Sequence, residues 1–416
     1  MDNRGYSLSR LTLVTPAEVT GRVTLTVRDG HIASLQGLAG GYTADLSDHL
    51  AYPGLINAHD HLFGTWWPRV APGRPYRNVY GWLADYEASP TLSDRGQNSV
   101  QDLYELGVYR NLISGVTTVA DHFKRTDGPE FYTRLPIHVL YEYGRTWTPR
   151  QITSWGADIA AEYGLAVRTG QPYIIHLAEG VDPEVASEMD VLLEARALGR
   201  NTMIVHGIAL RPQDMAAMAG VGASVCWVPA SNLYLYERTA DIRALMQAGV
   251  NIALGTDSSM TGGLNLLDEV RTARGVYRER MGEDPPGRWL VELMTSHAAY
   301  ALMLEGRRGH LTVGYEADLL VLPAGHADPY LNLVEAKVED LALLLCRGAP
   351  VYGDVAYQAL FEQFGGRFSS VLVAGMPKLI AGDPLGLLDR LSGVVGRQLC
   401  FPFLPLAAPG EDGRQP

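Results

Sequence analysis

Along the first fifty residues, apolar and polar side chains alternate. Residues 7–14 (SLSRLTLV) and 23–27 (VTLTV) carry this period of two, which predicts half-buried β-strands. Asp29-Gly30 is hairpin-turn chemistry ahead of a third strand at 31–35. From residue 53 the pattern changes. Apolar runs at 55–59, 116–120, 137–141, 174–176, 203–206, 223–228 and 251–255 are separated by stretches with helical spacing, such as 100–114, 184–198 and 264–274. Strands without alternation are buried on both faces, and repeated strand–helix units predict a parallel α/β barrel or a doubly wound sheet. Near residue 307 the pattern returns to β. Residues 309–314 lead into strands at 317–322, 341–345 and 370–373, with a turn at Arg347-Gly348-Ala349-Pro350. These strands are expected to complete the β unit begun by residues 7–50. The stretch from Pro409 has nothing to bury and is expected to be disordered.

The 416 residues, 47% hydrophobic, suffice for one large domain and a smaller one. A formal charge of −12 argues against a nucleic-acid partner, which would need a basic face. Three scattered cysteines, Cys226, Cys346 and Cys400, make no disulfide framework, which fits a reducing cytoplasm. Met1 to Arg10 is polar and lacks an apolar signal core, and no apolar run reaches the roughly 18 residues of a membrane span.

Candidate chemistry gathers at strand ends. His59 and His61 lie two apart on a strand and share a face, with Asp60 pointing away. Two imidazoles so placed can share a metal ion; imidazole suits zinc, iron, nickel or copper. His176, His206 and Asp257 each end or follow a later strand. In a parallel barrel such ends converge on one face, so residues distant in sequence can surround one ion. Glu179 follows His176 by three residues, the opposite face on a straight strand. It reaches the site only if the chain turns just after His176, and Gly180 makes that turn available. Trp66, Trp67, Tyr76, Tyr80 and Trp82 follow the first strand; they are candidates to wall a flat substrate, or equally to pack loops or a subunit contact. His122, after the second strand, is a candidate for the pocket or for a supporting role.

This ordered set resembles the amidohydrolase superfamily, most nearly the branch holding cytosine, guanine and S-adenosylhomocysteine deaminases and the triazine hydrolases. The resemblance rests on Pro53-Gly54-Leu55-Ile56-Asn57-Ala58-His59-Asp60-His61 and Ser114-Gly115-Val116-Thr117-Thr118-Val119-Ala120-Asp121. It continues through His176-Leu177-Ala178-Glu179, Val205-His206-Gly207, Pro229-Ala230-Ser231-Asn232, Leu254-Gly255-Thr256-Asp257 and Gly314-Tyr315-Glu316-Ala317-Asp318-Leu319. It implies an α/β fold: a (β/α)8 TIM-like barrel with a β-sandwich formed by both chain ends. It implies His59, His61, His176 and Asp257 as ligands of one divalent ion, zinc first, with Fe2+ or Mn2+ as alternatives. Glu179 resembles the proton shuttle, and His206 and Asp257 the residues that hold the nucleophilic water. Asn232 stands in the family's Pro-x-Ser-Asn turn, as a substrate contact or as turn chemistry. The family's two-metal members use a barrel lysine; here Lys124, after the second strand, is out of place, which favours one metal.

The segment between 137–141 and His176 departs from the family. It is short, holds one helix-like stretch at 151–163, and lacks the family's Pro-His pair. The barrel is therefore expected to be shortened between its third and fifth strands. The expected organisation is 1–52 as the N-terminal part of the sandwich, 53–306 as the barrel, 307–408 as the C-terminal part and 409–416 as a disordered tail. The leading functional reading is hydrolysis of a C–N bond in a small cyclic or aromatic compound, by deamination with a metal-activated water. Hydrolysis of an amide, a lactam or another leaving group at the same site is the alternative; a non-catalytic barrel relative is a third reading, which should have lost ligands. Bound metal lowers the pKa of water from about 15.7 to about 7, while a positioned acid–base group adds about 10²–10⁴-fold. Losing the metal should therefore cost more than losing Glu179. The expected partner is a small-molecule substrate, with no nucleic acid or membrane, in a cytoplasmic protein that is free to form a homo-oligomer.

Overall fold

The computed structural model describes residues 5–37, 41–70, 73–124, 129–151 and 155–410. Residues 411–416, most of the expected tail, lie outside the described residues. Eight strands carry the site: β1 (Leu55–Asp60), β2 (Val116–Asp121), β3 (His138–Leu140), β4 (Gly144–Thr146), β5 (Tyr173–Leu177), β6 (Thr202–His206), β7 (Ser224–Trp227) and β8 (Asn251–Leu254). They form two parallel sheets, β1-β2-β3 and β4-β5-β6-β7-β8. Nearly all their residues are buried, which is why their sequences read as apolar runs.

The two sheets meet at two seams. At one, the amides of Thr256 and Asp257, just past β8, donate to the His59 carbonyl of β1 at 2.9 and 3.1 Å. Gly255 lies so close there that a Cβ would stand 2.7 Å from the Cys226 Sγ and 2.8 Å from the His59 Cβ. One apolar cluster takes in Ile56, Ala120, Leu140, Ile174, Met203, Cys226 and Ala253, side chains from seven of the eight strands.

The other seam is where the sequence departs from the family pattern. Only Tyr141–Tyr143 join β3 to β4, so the connecting helix is missing, while the strand expected to be in doubt is present. No ladder pairs β3 with β4. Instead the buried Arg145 guanidinium donates to the Phe123 carbonyl at 2.7 Å and to the Tyr141 carbonyl, and lies 3.9 Å over the Tyr143 ring. The helix-like stretch expected at 151–163 begins later, as Ile159–Thr169, because the Asp158 side chain caps it by accepting from the Ala161 amide. Its Gly170 closes the helix in the left-handed conformation, at φ +66°.

Both chain ends build a further sheet of eleven strands. Tyr6–Val14 pairs in parallel with His49–Pro53, which pairs antiparallel with Leu319–Pro323. The Asp29-Gly30 turn forms as expected, with φ of +50° and +79°. Residues 309–314 are irregular rather than extended. Among the described residues, no helix is long and apolar enough to cross a membrane.

Replacing Arg145 with leucine leaves two carbonyls at the β3–β4 seam without their donor. The expected loss is about 2–4 kcal/mol, read from urea unfolding; an unchanged midpoint would remove Arg145 from the account of the seam.

Candidate metal centre

His59 is in β1 with His61 just beyond it, His176 is in β5, His206 is the last residue of β6, and Asp257 follows β8. Two of these side chains are turned by backbone that is uncommon outside glycine: φ is +73° at His206 and +58° at Asp257. Ala178, at φ +55°, and Gly180, at φ +148°, turn the chain off β5 and bring Glu179 round. The result is a buried group in which His59 Nε2 is 3.3 Å from His176 Nε2 and 3.9 Å from Asp257 Oδ1, and His61 Nε2 is 3.4 Å from Asp257 Oδ1. Ligand atoms of His59, His61 and Asp257, and of His59, His176 and His206, lie within 4.8 Å of one another.

Hydrogen bonds decide which ring nitrogen is bare. His176 Nδ1 faces the Trp147 carbonyl at 3.1 Å, His61 Nδ1 the His122 carbonyl, and His206 Nδ1 the Asn232 Oδ1 at 2.8 Å. Each acceptor requires an N–H, so each Nε2 is left as a lone pair. Asn232 is held in that orientation by donating its amide to Thr239 Oγ1 at 3.2 Å. Burial pushes the His59, His176 and His206 pKa values down, so these rings are neutral. Convergent imidazoles 3.3–3.9 Å from each other or a carboxylate match donors about 2.0–2.2 Å from a shared ion.

The two carboxyls differ. Burial pushes Asp257 up, but His61, His206, the Ser231 hydroxyl and the Ser258 amide outweigh it and hold the group below its usual range. The Ser231 hydroxyl donates to Oδ2 at 2.5 Å and the Ser258 amide to Oδ1 at 2.6 Å. Glu179 is raised well above the usual range by burial, against the lowering effect of its bond from Tyr236. Tyr236 donates to Oε1 at 2.7 Å, and Oε2 lies 3.4 Å from His206 Nε2.

Known proteins match this chain. The model of the amidohydrolase family matches residues 169–353. The 5-methylthioadenosine/S-adenosylhomocysteine deaminase of Halobacterium salinarum is 25% identical over 350 residues, covering 73% of this chain and 79% of that protein. A triazine hydrolase variant superposes with a TM-score of 0.74 at 17% identity, covering 94% of this chain and 99% of the other. An adenosine deaminase from Xanthomonas campestris with bound zinc gives 0.72 at 18%, covering 94% and 97%. This chain is similar to the amidohydrolase family over residues 169–353. At such identities the solved structures establish the fold alone.

A buried polar network lies beneath the histidines. Arg110 donates to both Asp60 oxygens at 2.9 and 3.0 Å, and to the carbonyls of Asp257, Leu264 and Gly263. Asn111 donates to Asp60 Oδ2 at 2.7 Å, and Asn57 donates to Asn111 and Thr256. The sequence reading missed this network. The signal available was a charged residue at a core position of a helix, four after Leu106 and seven after Leu103.

The aromatic residues need a correction. Trp66 is fully buried and packs edge-on to Phe401, 5.2 Å between ring centroids, so it fills a loop core instead of walling a pocket. Trp67 is half-buried against the main core. The rings beside the histidines are Trp155, 5.1 Å from His122 and 5.8 Å from His61, and Trp147 stacked on it at 5.2 Å. His122 is itself buried 4.8 Å from the His176 ring, with Nδ1 3.2 Å from the Tyr143 hydroxyl.

Arg110→Met strands the Asp60 carboxylate in a dry interior. The expected cost is about 3–5 kcal/mol, seen as a lowered thermal midpoint; stability within about 1 kcal/mol of the parent would mean the pair contributes no more than an exposed one.

Proposed function

We propose that this protein belongs to the amidohydrolase superfamily and is a metal-dependent hydrolase that cuts a C–N bond in a small cyclic or aromatic compound, by hydrolytic deamination. The observation that carries the reading is the convergence of bare Nε2 lone pairs and Asp257 beside Glu179, a carboxyl of opposite protonation tendency. The named deaminase relative and the zinc-bearing neighbour support the same class. We infer that β1–β8 close into one (β/α)8 barrel within residues 53–306, and that 1–52 and 307–408 flank it as a β-sandwich. His59, His61, His176 and Asp257 would hold one divalent ion, with zinc preferred. A small molecule is the substrate of a cytoplasmic enzyme.

A bound divalent ion supplies Lewis acidity and makes water acidic enough to ionise near neutral pH. The chain's residues do the rest. Asp257, held in its charged form, accepts a hydrogen bond from the nucleophilic water and orients it. His206, whose Nε2 lies 3.4 Å from Glu179 Oε2, is placed to accept a hydrogen bond from the nucleophilic water and orient it. Glu179, whose carboxyl favours the protonated form, delivers a proton to the departing nitrogen and takes back the proton that the attacking water gives up, so the C–O bond forms, the C–N bond breaks, and the leaving group departs as ammonia or an amine. Trp155, Trp147 and Phe123, in successive ring contact at 5.2 and 5.4 Å, form an apolar wall beside the histidines that suits a planar ring. His122 borders the same wall.

The test is ammonia release by zinc- or manganese-loaded protein over a panel of aminated purines, pyrimidines, pterins and triazines. Glu179→Gln should retain metal and lose about 10²–10⁴-fold in turnover; an unchanged rate would remove Glu179 as the shuttle. His59→Ala or Asp257→Ala should lose bound metal by elemental analysis together with turnover, and full occupancy in either would remove that ligand. Silence across the panel with one ion bound per chain would favour amide or lactam hydrolysis.

On a substrate that is turned over, Trp155→Ala should raise KM about two- to tenfold with little change in kcat, because an aromatic contact contributes about 0.5–1.5 kcal/mol. An unchanged KM would assign the wall to packing.

A further inference from the structure

Glu179 is presented by a backbone that does not hold itself in place. Ala178, immediately before it, is left-handed at φ +55°, a conformation disfavoured by a residue with a Cβ. Gly180, immediately after, has φ +148°, and a Cβ there would stand 2.4 Å from the Arg77 carbonyl oxygen. No strand ladder or long helix fixes this turn: β5 ends at Leu177, and the next helix is the four-residue Pro183–Ala186. Something outside the turn must hold the shuttle in register.

Glu188 is the side chain placed to do so. It opens the short helix Glu188–Glu194 and is buried, 5% exposed. One oxygen, Oε2, accepts the Ala178 amide at 2.8 Å. The other, Oε1, accepts the Tyr80 hydroxyl at 3.0 Å. Tyr80 lies on the helix Val79–Glu87, which follows the loop after β1. The same stretch touches the turn a second time: the Val181 amide donates to the Arg77 carbonyl at 2.7 Å, and Asn78 donates to Asp182 at 2.5 Å. The Ala178 carbonyl is taken by the Ala209 amide at 3.0 Å. The turn is thus held on both sides, and Glu188 is the one side chain that joins its strained amide to the segment after β1.

We propose that Glu188 is a positioning residue for Glu179, fixing the left-handed Ala178 and coupling the proton shuttle, through Tyr80, to the helix that follows the first strand. The proposal rests on the reading of Glu179 as the shuttle. Glu188 touches no metal-ligand side chain among its recorded bonds, so its loss should leave the ion in place. Its function is that of an acceptor, which glutamine can also supply; aspartate, one methylene shorter, cannot span from helix to turn.

The experiment uses the zinc-loaded full chain. Hydrogen exchange is followed at the Ala178 amide, and kcat, KM and metal content are measured on whichever panel compound is turned over. Glu188→Ala should speed Ala178 exchange about tenfold, since it removes the acceptor of that amide's hydrogen bond. It should lower kcat about 10²-fold through displacement of the shuttle, with KM within about threefold and metal unchanged. Glu188→Gln should restore most of the protection and of kcat. Glu188→Asp should behave like the alanine variant, and it carries the test if alanine prevents folding. Unchanged exchange at Ala178, or a glutamine variant as impaired as alanine, would overturn the proposal. Glu179→Gln is run in parallel. If that variant keeps its turnover, the shuttle reading fails by itself, while the exchange result still decides whether Glu188 fixes the turn.

Discussion

A single guanidinium serves acceptors from both ends of the strand series. Arg110 reaches Asp60 of β1, the carbonyl of Asp257 just past β8, and the carbonyls of Gly263 and Leu264 beyond it. A planar fork with five donors can satisfy several acceptors fixed in different directions, which a lysine ammonium does less well. The constraint runs outward from there. Asp60 must point away from the two histidines that flank it to meet the charge, and that turns His59 and His61 toward the site. The loop after β8 is held where Asp257 can face them. A charge buried so fully is tolerable only while each oxygen and each N–H has a partner, and the asparagines at 57 and 111 complete the set.

Above this network, burial acts on every ionisable group, and the neighbours decide the sign of the result. His176 and His206 have a carbonyl and an amide oxygen on Nδ1, so desolvation leaves them neutral with Nε2 free. Asp257 collects donors from Ser231 and Ser258 and stays ionised; Glu179 has one hydroxyl donor and the repulsion of nearby carboxylates, and it stays protonated more readily. Two carboxyls in one cleft with opposed tendencies are what an acid and a base require at one pH. The separation comes from neighbours, not from depth: both groups are deeply buried, but Asp257 faces His61 and His206 as well as its donors, whereas Glu179 faces carboxylates.

Much of the strand series was legible in the sequence, because strands buried on both faces show as apolar runs and their terminal histidines stand out against them. The turn that brings Glu179 round was legible only as a condition, since Gly180 alone does not reveal that Ala178 is left-handed. β4 was not legible: three residues with Arg145 at their centre give no apolar run, and the strand is recognisable only by its pairing with β5. Partners brought together by folding left little trace. Asp60 and Arg110 are fifty residues apart, and Tyr80 and Glu188 are 108 apart. Trp66 stayed ambiguous because two adjacent tryptophans after a His-x-His strand read alike as wall or as packing, and only burial against Phe401 separates the two.

The missing β3–β4 helix and the aromatic wall are physically one feature. With only Tyr141–Tyr143 between the strands, no helix connects β3 to β4, and β4 is backed instead by the helix Ile159–Thr169, whose Glu162 accepts the Arg145 amide at 3.1 Å. The end of β2 supplies the bonds on the β3 side. The Tyr143 hydroxyl donates to the Asp121 carbonyl at 2.5 Å, and Arg145 donates to the Phe123 carbonyl at 2.7 Å. These bonds fix the backbone of His122 and Phe123, and Phe123 in turn packs against Trp155 at 5.4 Å. The rings beside the clustered histidines are thereby set by the same contacts that close the seam. A change that loosens Arg145 therefore acts on the wall as well as on stability, whereas Trp147 and Trp155, which carry no seam bond, can vary without opening it.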